Sequence, residues 1–241
     1  MPSKISRMKK IAAIIVIMLI SIGQFSNAQS FHDTTSTNKK PEIIRDRLMV
    51  DIFHTFWMGM PSTVNANKLQ PGFNISAMWD FKLPNKGPFS FGLGLGISYY
   101  TQFSDARLDI DPTPWVMRYY VIDTTNIDFD LNRMTYINCN IPLEFRYRHQ
   151  NGFKITLGVR LGLVAEISQT YKGQNPNGND DKIWIKNYEM YNKQKYNFDV
   201  YLRTGWKYVS LYYCVQVTKL FQDGKGPQIA PMSVGLTWNI F

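Results

Sequence analysis

The sequence predicts an all-β fold: an eight-stranded antiparallel up-and-down transmembrane β-barrel with short periplasmic turns and long extracellular loops. Three observations predict it. Phe89–Gln102 alternates without a break: Phe89, Phe91, Leu93, Leu95, Ile97 and Tyr99 take one side of an extended strand, and Ser90, Gly92, Gly94, Gly96, Ser98 and Tyr100 take the other. A period of two marks a strand, and this one is long enough to cross a bilayer at a tilt, which takes about 9–11 residues. Seven other stretches alternate similarly, and the connections between them run long, short, long, short, long, short, medium. The chain also opens with an export signal, and 15% of its residues are aromatic, a content that suits interfacial girdles.

The export signal occupies residues 1–28. Lys4, Arg7, Lys9 and Lys10 form its positive region, Ile11–Ile20 its apolar core, and Ser26-Asn27-Ala28 the small residues before cleavage. Its core is too short for a spanning helix, which needs about 20 residues. Cleavage after Ala28 removes four basic and no acidic residues, so the formal charge falls from +9 to +5. No basic run follows, which argues against nucleic acid as a partner. No later stretch is apolar enough for a spanning helix. Residues 29–44 read as a flexible periplasmic lead-in, and 45–241 as the barrel.

The first strand runs from about Arg45 to Trp57, with Leu48, Val50, Ile52, His54 and Phe56 on one face and Met49, Asp51, Phe53, Thr55 and Trp57 on the other. Met58–Gln70 is a loop. The second strand, Gly72–Leu83, presents Phe73, Ile75, Ala77, Trp79 and Phe81 opposite Asn74, Ser76, Met78 and Asp80. Pro84–Gly87 turns the chain into the third strand, Phe89–Gln102. Phe103–Arg133 is a long polar excursion. The fourth strand, Met134–Arg148, alternates Ile137, Cys139, Ile141, Leu143, Phe145 and Tyr147 with Asn138, Asn140, Pro142, Glu144, Arg146 and Arg148. Pro142 inside a closed sheet predicts a bulge.

His149–Gly152 contains the Asn-Gly pair that favours hairpins. The fifth strand, Phe153–Ala165, sets Phe153, Ile155, Leu157, Val159, Leu161 and Leu163 against Lys154, Thr156, Gly158, Arg160 and Gly162. Glu166–Tyr196 reads as a second long loop. Strands six (Asn197–Trp206) and seven (Val209–Leu220) form a hairpin at Lys207-Tyr208. After Phe221–Pro227 comes the eighth strand, from Gln228 to the terminus, with Met232, Val234, Leu236, Trp238 and Ile240 on one face. Cys139 and Cys214 fall on non-adjacent strands and opposite faces, so both should be free thiols.

The same alternation could build a soluble sandwich with its apolar faces inward. Three features favour the inverted arrangement. The long connections all fall at one end. Phe56 and Tyr99 mark one aromatic level, while Trp79, Phe81, Phe145, Tyr147, Trp206 and Trp238 mark another. The charges all fall on the polar face, which in a barrel is the lumen. Asp51, Asp80, Glu144, Arg146, Arg160, Asp199 and Arg203 should form a lumenal charge network there. Eight strands leave an interior that side chains fill, which argues against an open channel.

Asp46–Asp51, Ile141–Arg148 and the tail, in which Lys219-Leu220-Phe221 leads to Gly226-Pro227 and Ser233–Thr237, resemble the PorT-like outer-membrane β-barrel family, of the OmpX/OmpA small-barrel type. The resemblance covers most of 45–241. It implies an integral outer-membrane protein whose namesake is associated with protein export, and it brings no catalytic set. One departure is the terminal Phe241, one step out of phase with the apolar residues Leu236, Trp238 and Ile240. Either the last strand bulges, or the assembly machinery reads Trp238 and Ile240.

Small barrels of this type include enzymes that modify lipid A with His and Ser or Asp near the outer rim. His54 and Ser104-Asp105 lie near that rim, yet an interfacial His and a loop Ser-Asp explain them as well. His149 and His32 lie on the other side. Asp109, Asp111, Asp128 and Asp130 form two D-x-D pairs, a spacing that can hold Ca²⁺ but equally suits solvated loop acids. Asn175–Asp181 is turn-forming. The sequence therefore predicts a non-enzymatic envelope barrel without cofactor or metal. Its expected partners are outer-membrane lipids and lipopolysaccharide, the barrel assembly machinery during biogenesis, and a secretion complex if the family role applies. Loops 103–133 and 166–196 are the expected working surface, through accessory, adhesive or, third, lipid-modifying activity.

Overall fold

The structure, a computed structural model, describes residues 47–240 apart from 67, 84–86, 123–126, 176–181 and 189. They belong to the compact unit Arg45–Phe241. The export signal, the lead-in and Phe241 lie outside the described residues, as does nearly all of Asn175–Asp181.

The described strands are β1 (Leu48–Met58), β2 (Pro71–Lys82), β3 (Phe89–Phe103), β4 (Ala106–Asp111), β5 (Val116–Val121), β6 (Phe129–Arg148), β7 (Phe153–Gln174), β8 (Lys182–Asn187), β9 (Tyr196–Trp206), β10 (Val209–Gln216) and β11 (Ala230–Asn239). Eight of them pair antiparallel in the order β6-β3-β2-β1-β11-β10-β9-β7, and β7 pairs with β6 to close the ring. Closure leaves the barrel without an edge. The β2–β3, β6–β7 and β9–β10 connections lie at one end, hereafter the turn end. The four longer connections lie at the other, the loop end.

Alternation sorts the side chains as the sequence predicts. Ile52, Phe73, Phe91, Leu143, Leu157 and Leu236 are exposed on the outside, whereas their neighbours Asp51, Asn74, Gly92, Glu144, Gly158 and Thr237 are buried inside. This inverts the polarity of a soluble protein. A hydrocarbon surround accepts such an exterior, because the closed ring pairs its strands' backbone groups with one another. Cys139 faces outward, Cys214 is buried inside, and both are free thiols.

The structure departs from the sequence reading at several places. Pro142 causes no bulge. The β3–β6 register is the same on either side of it, Leu93 with Leu143 and Gly96 with Asn140, and only the ladder pairs between them are missing. A proline removes a hydrogen-bond donor without inserting a residue. Its Cγ lies 3.2 Å from where a Cβ on Gly94 would be, so the glycine supplies the room its ring needs. The bulges fall elsewhere in the β6–β7 pair, at Phe129/Leu131 and Ile137/Asn138. The second leaves Ala165 without an opposite number and switches the inward side of β7 from even to odd residues.

Strands also run beyond their expected ends. β6 starts within the expected 103–133 loop, and β7 continues to Gln174 inside the expected 166–196 loop. The first loop carries the β4–β5 hairpin, and the second carries β8, which pairs with the outer end of β7. β10 ends at Gln216 and β11 begins at Ala230, so the last loop is longer than read. β11 keeps one register against β1 from Ala230 to Asn239, with Trp238 and Ile240 exposed. No bulge in this stretch brings the terminus into phase.

Candidate functional site

Buried side chains line the barrel interior along the described strands, and its turn-end half is a network of charges. Arg203 on β9 donates from Nε and Nη2 to Asp51 Oδ1 and Oδ2 on β1, at 3.1 and 2.8 Å. Its Nη1 donates to Glu144 on β6. Glu144 also accepts from Arg146 Nε, and from Tyr201 Oη at 2.6 Å. Arg146 reaches Asp80 on β2, whose other oxygen accepts from Arg148 at 2.8 Å. Asp51 further accepts from Asn74 Nδ2 at 2.7 Å and Thr237 Oγ1 at 2.6 Å. A buried carboxylate needs such donors, because an unpaired buried charge is costly.

Five of the seven sequence candidates, Asp51, Asp80, Glu144, Arg146 and Arg203, are therefore brought into one connected set. Arg160 and Asp199 form a second centre nearer the loop end. Arg160 Nε and Asp199 Oδ2 are 4.0 Å apart, an ion pair without a hydrogen bond. Arg160 donates instead to Tyr212 Oη and to Ser98 Oγ at 3.2 Å, and Asp199 accepts from Asn197 at 3.0 Å. Ser98 donates to Asn74 at 2.8 Å, which links both centres through Asp51. The linking residues Asn74, Ser98, Tyr201, Tyr212 and Thr237 were not named as network members from the sequence. The signal was available, because each shares the inward parity of the charges.

The inward glycines make room for these long side chains. A Cβ on Gly92 would lie 3.0 Å from the Arg146 guanidinium carbon, and one on Gly158 would lie 2.3 Å from Tyr201 Cζ. The Tyr201 ring in turn has the Arg160 and Arg203 guanidinium carbons each 4.6 Å from its centroid, a cation–π arrangement strengthened by burial.

The loop-end half combines an aromatic cluster with buried amides such as Gln102, Asn132 and Gln169. Phe53, Tyr100, Tyr136 and Tyr212 pack with ring centroids 5.3–5.5 Å apart. The β4–β5 hairpin lies over them, burying Leu108 and Met117 in the same cluster as Leu220, Phe221 and Ile229 of the last loop. Polar contacts hold it down: Leu108 N–H donates to Gln169 Oε1 at 2.8 Å, Met117 N–H to Lys225 O at 3.1 Å, and Tyr119 Oη to Gln102 Oε1 at 3.0 Å. Burial pushes the Tyr119 hydroxyl pKa up. The hairpin is thus a cap on the mouth.

The other candidates are not assembled into a centre. His54 Nδ1 accepts from the Gln70 backbone at 3.1 Å, and its ring meets Phe56 edge-on at 4.6 Å. Ser104 donates to the Ala106 carbonyl at 3.1 Å, and Asp105 accepts from Asn65 N–H at 2.8 Å. His149 lies in the β6–β7 turn, where its Nδ1 accepts from Asn151 N–H at 3.3 Å, and His32 lies outside the described residues. Asp109, Asp111 and Asp130 pair with Arg107, Arg118 and Lys172 at 3.1, 3.5 and 3.3 Å. Among the described residues no group of three or more metal-ligating side chains converges.

A closed ring of eight strands, apolar outside and lined with charge and aromatics inside, defines a small up-and-down β-barrel. Comparison with solved structures finds a likeness to Ail, the attachment invasion locus protein of Yersinia pestis, in complex with the heparin analogue sucrose octasulfate. The identity is 10% and the TM-score 0.37, over 79% of this chain and 95% of that one. No family model matches the chain, and no curated protein matches it.

Proposed function

We propose that this chain is an integral outer-membrane barrel with no enzymatic activity, serving as a structural or accessory component of the envelope. The observation that carries the proposal is the inversion of polarity around the ring: exposed Ile, Leu, Phe and Trp outside, paired Arg, Asp and Glu inside. Lipid and lipopolysaccharide would cover the exterior, and the barrel assembly machinery would insert it. The engaged hydrogen bonds of His54 and Ser104 give the lipid-modifying reading no support. The secretion role that the PorT-like resemblance implies is one form of the accessory reading.

A second reading, a barrel that binds other proteins through its loop end, is favoured by β8. This strand pairs along one edge only among the described residues, and its Trp184 is 78% exposed. An edge of unpaired backbone groups beside a large exposed aromatic is a template for strand addition.

Gentle-detergent isolation of the tagged protein from outer membranes, read by mass spectrometry, tests both. Recovery in the outer-membrane fraction with a stoichiometric export or assembly partner supports the accessory form. A partner lost on replacing Trp184 by Ser supports the second reading. Recovery in a soluble fraction would overturn both.

A further inference from the structure

The β4–β5 turn ends on a left-handed position, as short hairpin loops do, and the chain fills it with an exposed tryptophan where glycine or asparagine would be usual. Trp115, at the tip of the β4–β5 hairpin, has φ 61°, and Asn192, on the connection before β9, has φ 56°. Asparagine tolerates this left-handed region, but for a bulky side chain it is a strained conformation that glycine would take freely. Burial does not compensate Trp115, because its side chain is 61% exposed. Two loops nevertheless cooperate to hold it. Asn192 Nδ2 donates to the Trp115 carbonyl at 2.8 Å and lies 3.4 Å from the Lys225 carbonyl. The indole meets Tyr191, itself 44% exposed, edge to face at 6.2 Å and 80°.

The result is an exposed aromatic corner fixed across three connections. Its rim is polar: the Asp111–Arg118 ion pair at 3.5 Å stands behind the hairpin tip, and the exposed Lys225 stands beside it. A strained residue kept where it buries little suggests a role for the ring outside the fold. The corner offers two apolar rings beside charged groups, whereas the core of a protein interface uses several desolvated apolar anchors. It also stands on the cap, away from the strands that carry the apolar exterior.

We infer that Trp115 and Tyr191 form a saccharide-binding corner, taking the apolar C–H face of one pyranose ring of a neutral oligosaccharide while the polar rim receives its hydroxyls. This rests on the reading of the loop end as the working surface. The test uses the purified barrel, so its outcome does not depend on where the protein resides.

The experiment probes the detergent-solubilised full chain against an array of neutral hexose and N-acetylhexosamine oligosaccharides. The expected result is retention on at least one of them, cut tenfold or more by Trp115→Gly and by Tyr191→Ala. Trp115→Gly relieves the strained backbone, so its heat-dependent shift in gel mobility should be unchanged, which separates lost binding from lost folding. An array left blank by the wild type, or retention equal in Trp115→Gly, would overturn the inference. So would a blank array combined with Trp115-dependent capture of peptides from a displayed library.

Discussion

Arg203 and Asp51 join strands that are not neighbours. β9 and β1 are separated around the ring by β10 and β11, yet the two side chains meet through two hydrogen bonds, at 3.1 and 2.8 Å. The backbone ladder cannot make such a contact, so it braces the barrel across its lumen. Removing one partner leaves the other charged, buried and short of donors or acceptors. Arg203→Ala is expected to cost about 3–5 kcal/mol, measured by urea unfolding followed by gel mobility. Glu144→Ala should cost a similar amount, because it strips both Arg203 and Arg146 of an acceptor. An unchanged midpoint in both variants would show that the network does not brace the barrel.

The glycine–tyrosine fit gives a steric prediction. Gly158→Ala places a Cβ about where the Tyr201 ring already lies, and overpacking of this kind costs about 1–3 kcal/mol. Combined with Tyr201→Ala, the same substitution should cost much less than the sum of the two single changes. Additive losses would mean that the ring and the glycine do not share that space.

A filled interior should not conduct. Purified barrel in planar bilayers is expected to give no ion-conducting steps. Deleting residues 106–121, the capping hairpin, should leave that result unchanged, because the charged half alone blocks the lumen. Steady open-channel steps from the intact protein would contradict the packing described.

The two cysteines report the two faces. In folded barrel held in detergent, maleimide should leave Cys214 unmodified, because its thiol is buried near Arg160 at 3.5 Å. Both thiols should react after boiling. Labelling of Cys214 before boiling would mean that the lumen is open to the reagent.

The spanning strands were legible because a single rule, alternate outward and inward, governs them, and Phe89–Tyr100 obeys it without exception, until Thr101 and Gln102 are both buried at the loop end. The charge positions followed from the same rule. Which charges meet did not, because Asp51 and Arg203 lie 152 residues apart in sequence and their contact depends on barrel diameter and strand tilt. The loop end was illegible for another reason. The bulge at Ala165 switches the parity of β7, and beyond it Ile167, Ser168, Gln169, Thr170 and Tyr171 are all buried. Both faces of β7 are buried there, so alternation of exposure disappears. Leu108 and Met117 gave no signal that they would close a mouth formed by distant strands.

The most direct test of the central claim is a spin-label scan of β11 in lipid vesicles, one cysteine-substituted position at a time from Ser233 to Trp238 in a background lacking the native cysteines. The account predicts that labels at 234, 236 and 238 collide with oxygen dissolved in lipid, while those at 233 and 237 are shielded from both oxygen and a water-soluble nickel chelate. If the even positions instead met the nickel chelate as readily as a free label in water, the apolar exterior would not face lipid, and the chain would not be a membrane barrel.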